Sequence, residues 1–260
     1  MKMKFLLFLL AAMLLTTSAM AVQVPTELME LLQGGAGGNN GEPIELVVKE
    51  EALHLYKDVI GPSGVFAAII ENPGTVPAAV QSGTVDLLDK DGNVITSVTI
   101  YGSTPYIIAP GGTAYVQQEY LQVSEEDAAR VASHKFTVNG VTQPDDTTPA
   151  PATLPVTSTY AQEEVPNYFG EEKNYSANVT LTIENNTDAT AYNAQAFSVL
   201  RNKDGKLLTV ATTMANDIGI LPGSKIEMQN RVNGGLVAKL MAEQSEPATV
   251  ESVVLVMPEL

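Results

Sequence analysis

Two stretches of this chain spell out the same pattern, and that repetition constrains its fold more than any other feature. Ile70-Glu71-Asn72 returns as Ile183-Glu184-Asn185, 113 residues later, and Asp91-Gly92 returns as Asp204-Gly205 at the same spacing. Between these matches, Val85-Asp86-Leu87-Leu88 aligns with Phe197-Ser198-Val199-Leu200 at a spacing of 112, and Ile108-Ala109-Pro110-Gly111 aligns with Ile220-Leu221-Pro222-Gly223, again at 112. Four matches in one order point to a duplication, so both copies are expected to fold alike. Changes of one residue in the spacing are expected in loops, where no core register depends on them.

Each copy is written in short apolar alternations separated by turn residues, the pattern of strands in a sandwich or barrel. A first strand (Glu45 to Leu55, or Pro155 to Glu163) leads to a second (Val65 to Glu71, or Ala177 to Glu184). A hairpin follows with an Asp-Gly turn, pairing Thr84 to Asp89 with Val94 to Tyr101, and Gln195 to Arg201 with Leu207 to Thr212. Asp-Gly suits such a turn because glycine reaches positive φ without a Cβ clash. Val85 and Leu87, or Phe197 and Val199, point one way while Asp86 or Ser198 points the other, which predicts one buried and one wet face.

After Pro-Gly comes another strand, Thr113 to Tyr120 or Lys225 to Val232, then a short helix, then a closing strand, His134 to Val138 or Val250 to Met257. Ser124 is placed to cap the first helix, with Asp127 three residues on. The fold class expected is all-β: two tandem antiparallel β-sandwich domains, residues 43–142 and 154–260, each with one short helix. A Pro/Thr-rich linker over 143–153, which holds Asp145-Asp146-Thr147-Thr148-Pro149-Ala150-Pro151, joins them.

The N-terminus carries an export signal. Lys2 and Lys4 precede an unbroken apolar run, Phe5 to Leu15, and Ser18-Ala19-Met20-Ala21 ends in the small-x-small pattern that signal peptidase accepts. Such a run rises only about 16 Å as a helix, half of a bilayer core of about 30 Å, so residues 1–21 are expected to be a cleaved signal peptide. Residues 22–42 are expected to be a flexible segment, with Gly-Gly-Ala-Gly-Gly-Asn-Asn-Gly at 34–41. Its glycine spacing is not that of a dinucleotide-binding turn.

Charge and cysteine content exclude several classes of function. The chain has 14 Lys and Arg against 30 Asp and Glu; losing Lys2 and Lys4 leaves 12 against 30, a formal charge of −18. That surface repels phosphate backbones and anionic headgroups, so nucleic acid is not expected as a partner, nor is membrane insertion after cleavage. With no cysteine there is no disulfide, no thiolate metal site and no thiol nucleophile.

An apolar strand, an Asn-containing turn, the hairpin Leu87 to Ile95 and a Pro-Gly turn together resemble the FxLYD-type domains of bacterial envelope proteins. Phe197-Ser198-Val199-Leu200 is the nearer match to the name motif; Leu88-Asp89 and Leu200-Arg201 stand where its Tyr-Asp ending would be. The resemblance covers about 50 residues of each copy. It implies an immunoglobulin-like fold and an extracytoplasmic setting, and it carries over no catalytic residue.

The search for chemistry returns little. His54 and His134 are the two histidines, both in the first copy, and no G-x-S-x-G, H-E-x-x-H or Walker sequence accompanies them. Asp89, Asp91 and Asn93 put three oxygen-bearing side chains around one turn, a weak calcium site if it is not a plain hairpin turn. Tyr101, Tyr106, Tyr115 and Tyr120 fall in one part of the first copy, as a contact surface for a partner or as ordinary sheet packing. Asn174, Asn178 and Asn185 fit the glycosylation sequon and are expected to stay unmodified. No cofactor is expected. The function expected is a non-enzymatic interaction or adhesion-type module of the cell envelope or extracellular space, with a protein or surface partner. A ligand-free envelope spacer is the alternative, and a secreted hydrolase the third.

Overall fold

Strands form where the apolar alternations lie. The computed structural model describes residues 41–58, 61–100, 102–142, 152–166, 174–216 and 218–257. The signal peptide expected over 1–21, nearly all of 22–42 and most of 143–153 lie outside the described residues. The first copy holds β1 (Pro43–Ile44), β2 (Val47–Asp58), β3 (Gly61–Glu71), β4 (Ala78–Leu88), β5 (Val94–Ile100), β6 (Ile107–Ile108), β7 (Thr113–Gln118), helix α1 (Glu125–Ala128) and β8 (Ser133–Thr142). The second holds β9 (Ala152–Leu154), β10 (Val156–Val165), β11 (Asn174–Glu184), β12 (Tyr192–Arg201), β13 (Leu207–Ala215), β14 (Lys225–Val232), helix α2 (Gly234–Ala242) and β15 (Thr249–Met257). The strand β9 begins within the stretch read as linker.

The chain is all-β and its paired strands run antiparallel. Its wiring repeats. In the first copy the sheets are β1-β8-β4-β5, with β6 beside β4, and β2-β3-β7; in the second they are β9-β15-β12-β13 and β10-β11-β14. Replacing each strand of one copy by its counterpart reproduces the other, and the isolated bridge Ala191–Ile220 stands where β6 meets β4. Between the first pair of sheets lies an apolar cluster that includes Phe66 and Ile70 of β3, Val85 and Leu87 of β4, and Phe136 of β8. Between the second pair lies another, with Leu181 and Ile183 of β11, Leu200 of β12, Leu208 of β13 and Val254 of β15. Both copies are thus β-sandwich-like, each with two apolar inner faces meeting.

Both helices are capped by the side chain before them. The Ser124 hydroxyl accepts from Asp127 N at 3.0 Å, as the sequence predicts, and Asn233 Oδ1 accepts from Leu236 N at 3.1 Å. Leu236, Val237 and Leu240 of α2 join the second cluster.

The hairpins correct the alignment read from sequence. Leu87 pairs with Thr96 and Leu88 with Val94; Leu200 pairs with Thr209 and Arg201 with Leu207. Both registers, and the bulge between the two pairs, match at a spacing of 113 and not 112. Ser198 therefore replaces Val85, and Phe197 replaces Thr84. A slip of one residue exchanges the faces of a strand. Accordingly Ser198 is fully buried in the second core, and Phe197 and Val199 point outward.

That outward face is not wet. Val199, Leu207 and Val210 of the second copy form a third apolar cluster with Ala52, Ala67 and Ile69 of the first, and Tyr115 packs against it. The outer face of β2-β3-β7 is docked on the outer face of β12-β13, and residues 40–260 make one compact unit. Strand β3 is consequently covered on both sides, and Val65 through Ile70 are all buried.

Candidate functional site

The repeated Ile-Glu-Asn and Pro-Gly motifs meet at one end of each copy. Asn72, fully buried, donates its amide to Val76 O (2.8 Å) and Ile108 O (3.0 Å), and its Oδ1 accepts from Gly74 N (3.0 Å). Its backbone N–H donates to Gly112 O, and its carbonyl accepts from Gly111 N. Asn185, equally buried, donates to Ala189 O (2.8 Å) and Ile220 O (2.7 Å), and accepts from Thr187 N and Thr187 Oγ1. Its backbone joins Ser224 and Gly223 in the same way. One asparagine thus ties the loop after β3 or β11 to the Pro-Gly turn of its copy. The sequon at Asn185 is a structural element: its amide is committed inside the protein.

These braced loops carry exposed apolar side chains in both copies. Val76, whose carbonyl Asn72 holds, is 43% exposed; Tyr106 is 45% exposed, two residues before Ile108. Ile218 and Leu221, which flank Ile220, are 54% and 63% exposed. Tyr106 and Ile218 occupy equivalent positions, at the spacing of 112 that relates Ile108 to Ile220.

Of the four tyrosines, the three that are described, Tyr106, Tyr115 and Tyr120, do not share one surface. Tyr101 lies outside the described residues. Tyr115 stacks on Phe197 of the second copy with ring centroids 5.1 Å apart, and burial raises its hydroxyl pKa. Tyr106 sits in the loop that bridges to β7 through Thr104–Tyr115, whereas Tyr120 lies past the other end of β7, beside the Leu121–Gly64 hydrogen bond. Tyr106 and Tyr120 are the exposed members.

The Asp89 carboxylate serves the hairpin turn. Its Oδ1 accepts from Asp91 N and Asn93 N, both at 2.9 Å, and its Oδ2 from Asn93 Nδ2 at 3.2 Å. These hydrogen bonds, led by that from Asn93 N, lower its pKa. In the second copy Asn202 Oδ1 accepts from Asp204 N and Lys206 N at 3.0 Å, so a neutral amide does the same work. The Asp89 carboxylate is thus engaged by its own turn. Among the described residues no three His, Asp or Glu side chains converge as metal ligands.

The histidines are packed separately. His54, on β2, is held in the docked face with a hydrogen bond to the Leu208 backbone; burial, and then Lys239, lower its pKa to about 4. His134 lies between the sheets of the first copy, edge-on to Phe66, and burial lowers its pKa as well. Its Nε2 is 3.6 Å from Glu51 Oε1. Neither Nε2 reaches a hydrogen-bonding partner among the described residues.

The docked face holds the residues that sequence reasoning missed. Arg201 and Glu50 form a two-pronged ion pair between the copies, with Nη2 to Oε1 at 2.7 Å and a second contact from Nη1 to Oε2. Thr212 Oγ1 donates to Gln117 Oε1 at 2.9 Å. Tyr56 packs its ring onto Gly235 at the start of α2 and enters the second core with Val65. The signal was present: Val65 to Ile70 and Leu207 to Ala211 are near-continuous apolar runs, the mark of strands buried on both faces.

A scan against protein-family models finds no match to this chain, and a search of curated proteins finds none either.

Proposed function

We propose that the chain is an exported, non-enzymatic interaction module of the cell envelope or extracellular space, built from two immunoglobulin-like sandwiches. One observation carries the reading: Val76 and Tyr106 in one copy, and Ile218 and Leu221 in the other, stand exposed on loops braced by a buried asparagine. A loop held in place before contact loses little conformational freedom on binding, which is how affinity is gained from a small surface. The export signal and the acidic surface agree with a partner outside the cytoplasm that is not nucleic acid.

The test is a photo-crosslinking amino acid at Leu221, at Tyr106 and, as a control, at the sheet residue Thr182, in cells exporting the full chain. The module reading expects one recurrent adduct from the loop positions and none from Thr182. Loops that yield no adduct would leave the spacer reading in its place. N-terminal sequencing of the exported form checks the start at Val22.

A further inference from the structure

The margins of the sheets are guarded in different ways, with one exception. Strands β2, β10 and β14 carry charges, among them Lys49 and Lys57, Glu163 and Glu164, Lys225 and Arg231. The marginal strands β1 and β9 are two and three residues long, and β7 is met by Thr104. The apolar β13 is covered by β14 and by β2, β3 and β7 of the first copy. Charge, shortness and cover are the usual means by which proteins stop an open strand from pairing with another chain.

Among the described residues, strand β5 has none of them. Its sequence, Val94-Ile95-Thr96-Ser97-Val98-Thr99-Ile100, has no charge, no proline and no glycine, and every residue but Ser97 is β-branched. Among the described residues it ends its sheet and is hydrogen-bonded to β4 alone, and Val94 is 56% exposed. Its counterpart β13 lies under the other copy, so β5 is the same edge left uncovered by the described residues.

We propose that β5 pairs with β5 of a second copy of this chain, antiparallel about a two-fold axis at Val98, to join two β1-β8-β4-β5 sheets into one. The strand is self-complementary, as a two-fold contact requires. Beyond the bulge, an axis at Val98 sets Thr96 against Ile100 and Val98 against itself on the inner face, and Ser97 against Thr99 on the outer. No like charges meet across the seam, and β-branched pairs are favourable neighbours. The Asp86 side chains, one strand further back and bonded to Ser97, lie about 16 Å apart, at three strand spacings and an offset of two residues along the strands. At that distance their mutual repulsion is largely screened at physiological salt; what opposes association is the net negative charge of each copy at low ionic strength, so the dimer is weakest there and tightens as salt is added.

The experiment is sedimentation velocity of residues 22–260 from about 1 µM to about 1 mM, a range that spans weak to moderate affinities. The expected result is a monomer–dimer equilibrium that shifts toward dimer with salt. Thr99→Glu, which sets a carboxylate opposite the other copy's Ser97 and Asp86, raises the midpoint concentration at least about tenfold. The chain has no cysteine, so Val98→Cys supplies a unique thiol, and mild oxidation of it gives a disulfide-linked dimer. A monomer throughout the range overturns the proposal. So does a dimer that Thr99→Glu leaves unchanged, or open-ended aggregation in place of a dimer. Should Thr99→Glu fail to fold, the concentration series and the cysteine variant still decide.

Discussion

Replacing Asn185 with alanine takes one donor from the Ala189 and Ile220 carbonyls, which keep Thr187 Oγ1 and Ala191 N, and leaves Thr187 N without its acceptor. Three hydrogen bonds at about 1 kcal/mol each are lost, so Asn185→Ala is expected to lower stability by about 2–4 kcal/mol in thermal or urea unfolding, and Asn72→Ala by a similar amount. Aspartate at either position keeps the shape, loses both donations and fares no better. His54 supplies a prediction of the opposite kind, because its partner is absent when it is charged. Its pKa is about 4 in the fold, below the ordinary value of 6.5, so the unfolded chain takes up the proton first as pH falls. The neutral imidazole's share of stability is complete above pH 6.5 and is lost progressively between 6.5 and 4, on the order of 3 kcal/mol in all. Lys239 and Lys206 oppose the imidazolium and Glu243 favours it. The check is the stability difference between the native chain and His54→Gln, followed from pH 7 to pH 4: it narrows if this account holds. At this scale the sequence displayed Ile-Glu-Asn and Pro-Gly as separate repeats, and only the folded chain shows them to be two ends of one hydrogen-bond network.

Strand existence was legible in the alternation, and so was the cap at Ser124, because both are local. Register was not. Matching Val85 to Phe197 placed large apolar residues opposite one another, a natural choice when an inward position is assumed, but the outward face of β12 had become apolar for a different reason. The helix α2 teaches the same lesson. Gly235 reads as a weak helix residue, yet a Cβ there would collide with Cε2 and Cδ2 of Tyr56 from the other copy. Alanine for glycine in a helix ordinarily gains about 0.5–1 kcal/mol. Here Gly235→Ala is expected to lose about 1–3 kcal/mol, the cost of overpacking a fitted contact. The sign is the test, read from thermal unfolding. In a Tyr56→Ala background, where the ring is gone, the loss is expected to vanish. A glycine tolerated only for its own flexibility would give a gain in both backgrounds.

Across the whole molecule the two copies are specialised for each other. The docked face of the first copy presents Ala52, Ala67, Ile69 and Tyr115; the same positions in the second copy are Thr159, Thr180, Thr182 and Glu227. The receiving face presents Phe197, Val199 and Val210, where the first copy has Thr84, Asp86 and Ser97. A contact between unlike faces could repeat without end if each copy bore both; here one copy bears the docked face and the other the receiving face, and the two cover each other. The interface that results resembles a third core more than a surface contact, with the Glu50–Arg201 pair at its margin. The two sandwiches are therefore expected to unfold together, in a single calorimetric transition whose van't Hoff and calorimetric enthalpies agree. Val210→Asp puts an unpaired carboxylate into that seam without entering either sandwich core, and it should split the melt into two steps of smaller enthalpy. Two transitions in the native chain would mean that the halves are neighbours only. A single transition that survives Val210→Asp would mean that their cooperativity comes from the strands and helix shared through Tyr56 and Val65 rather than from the third cluster.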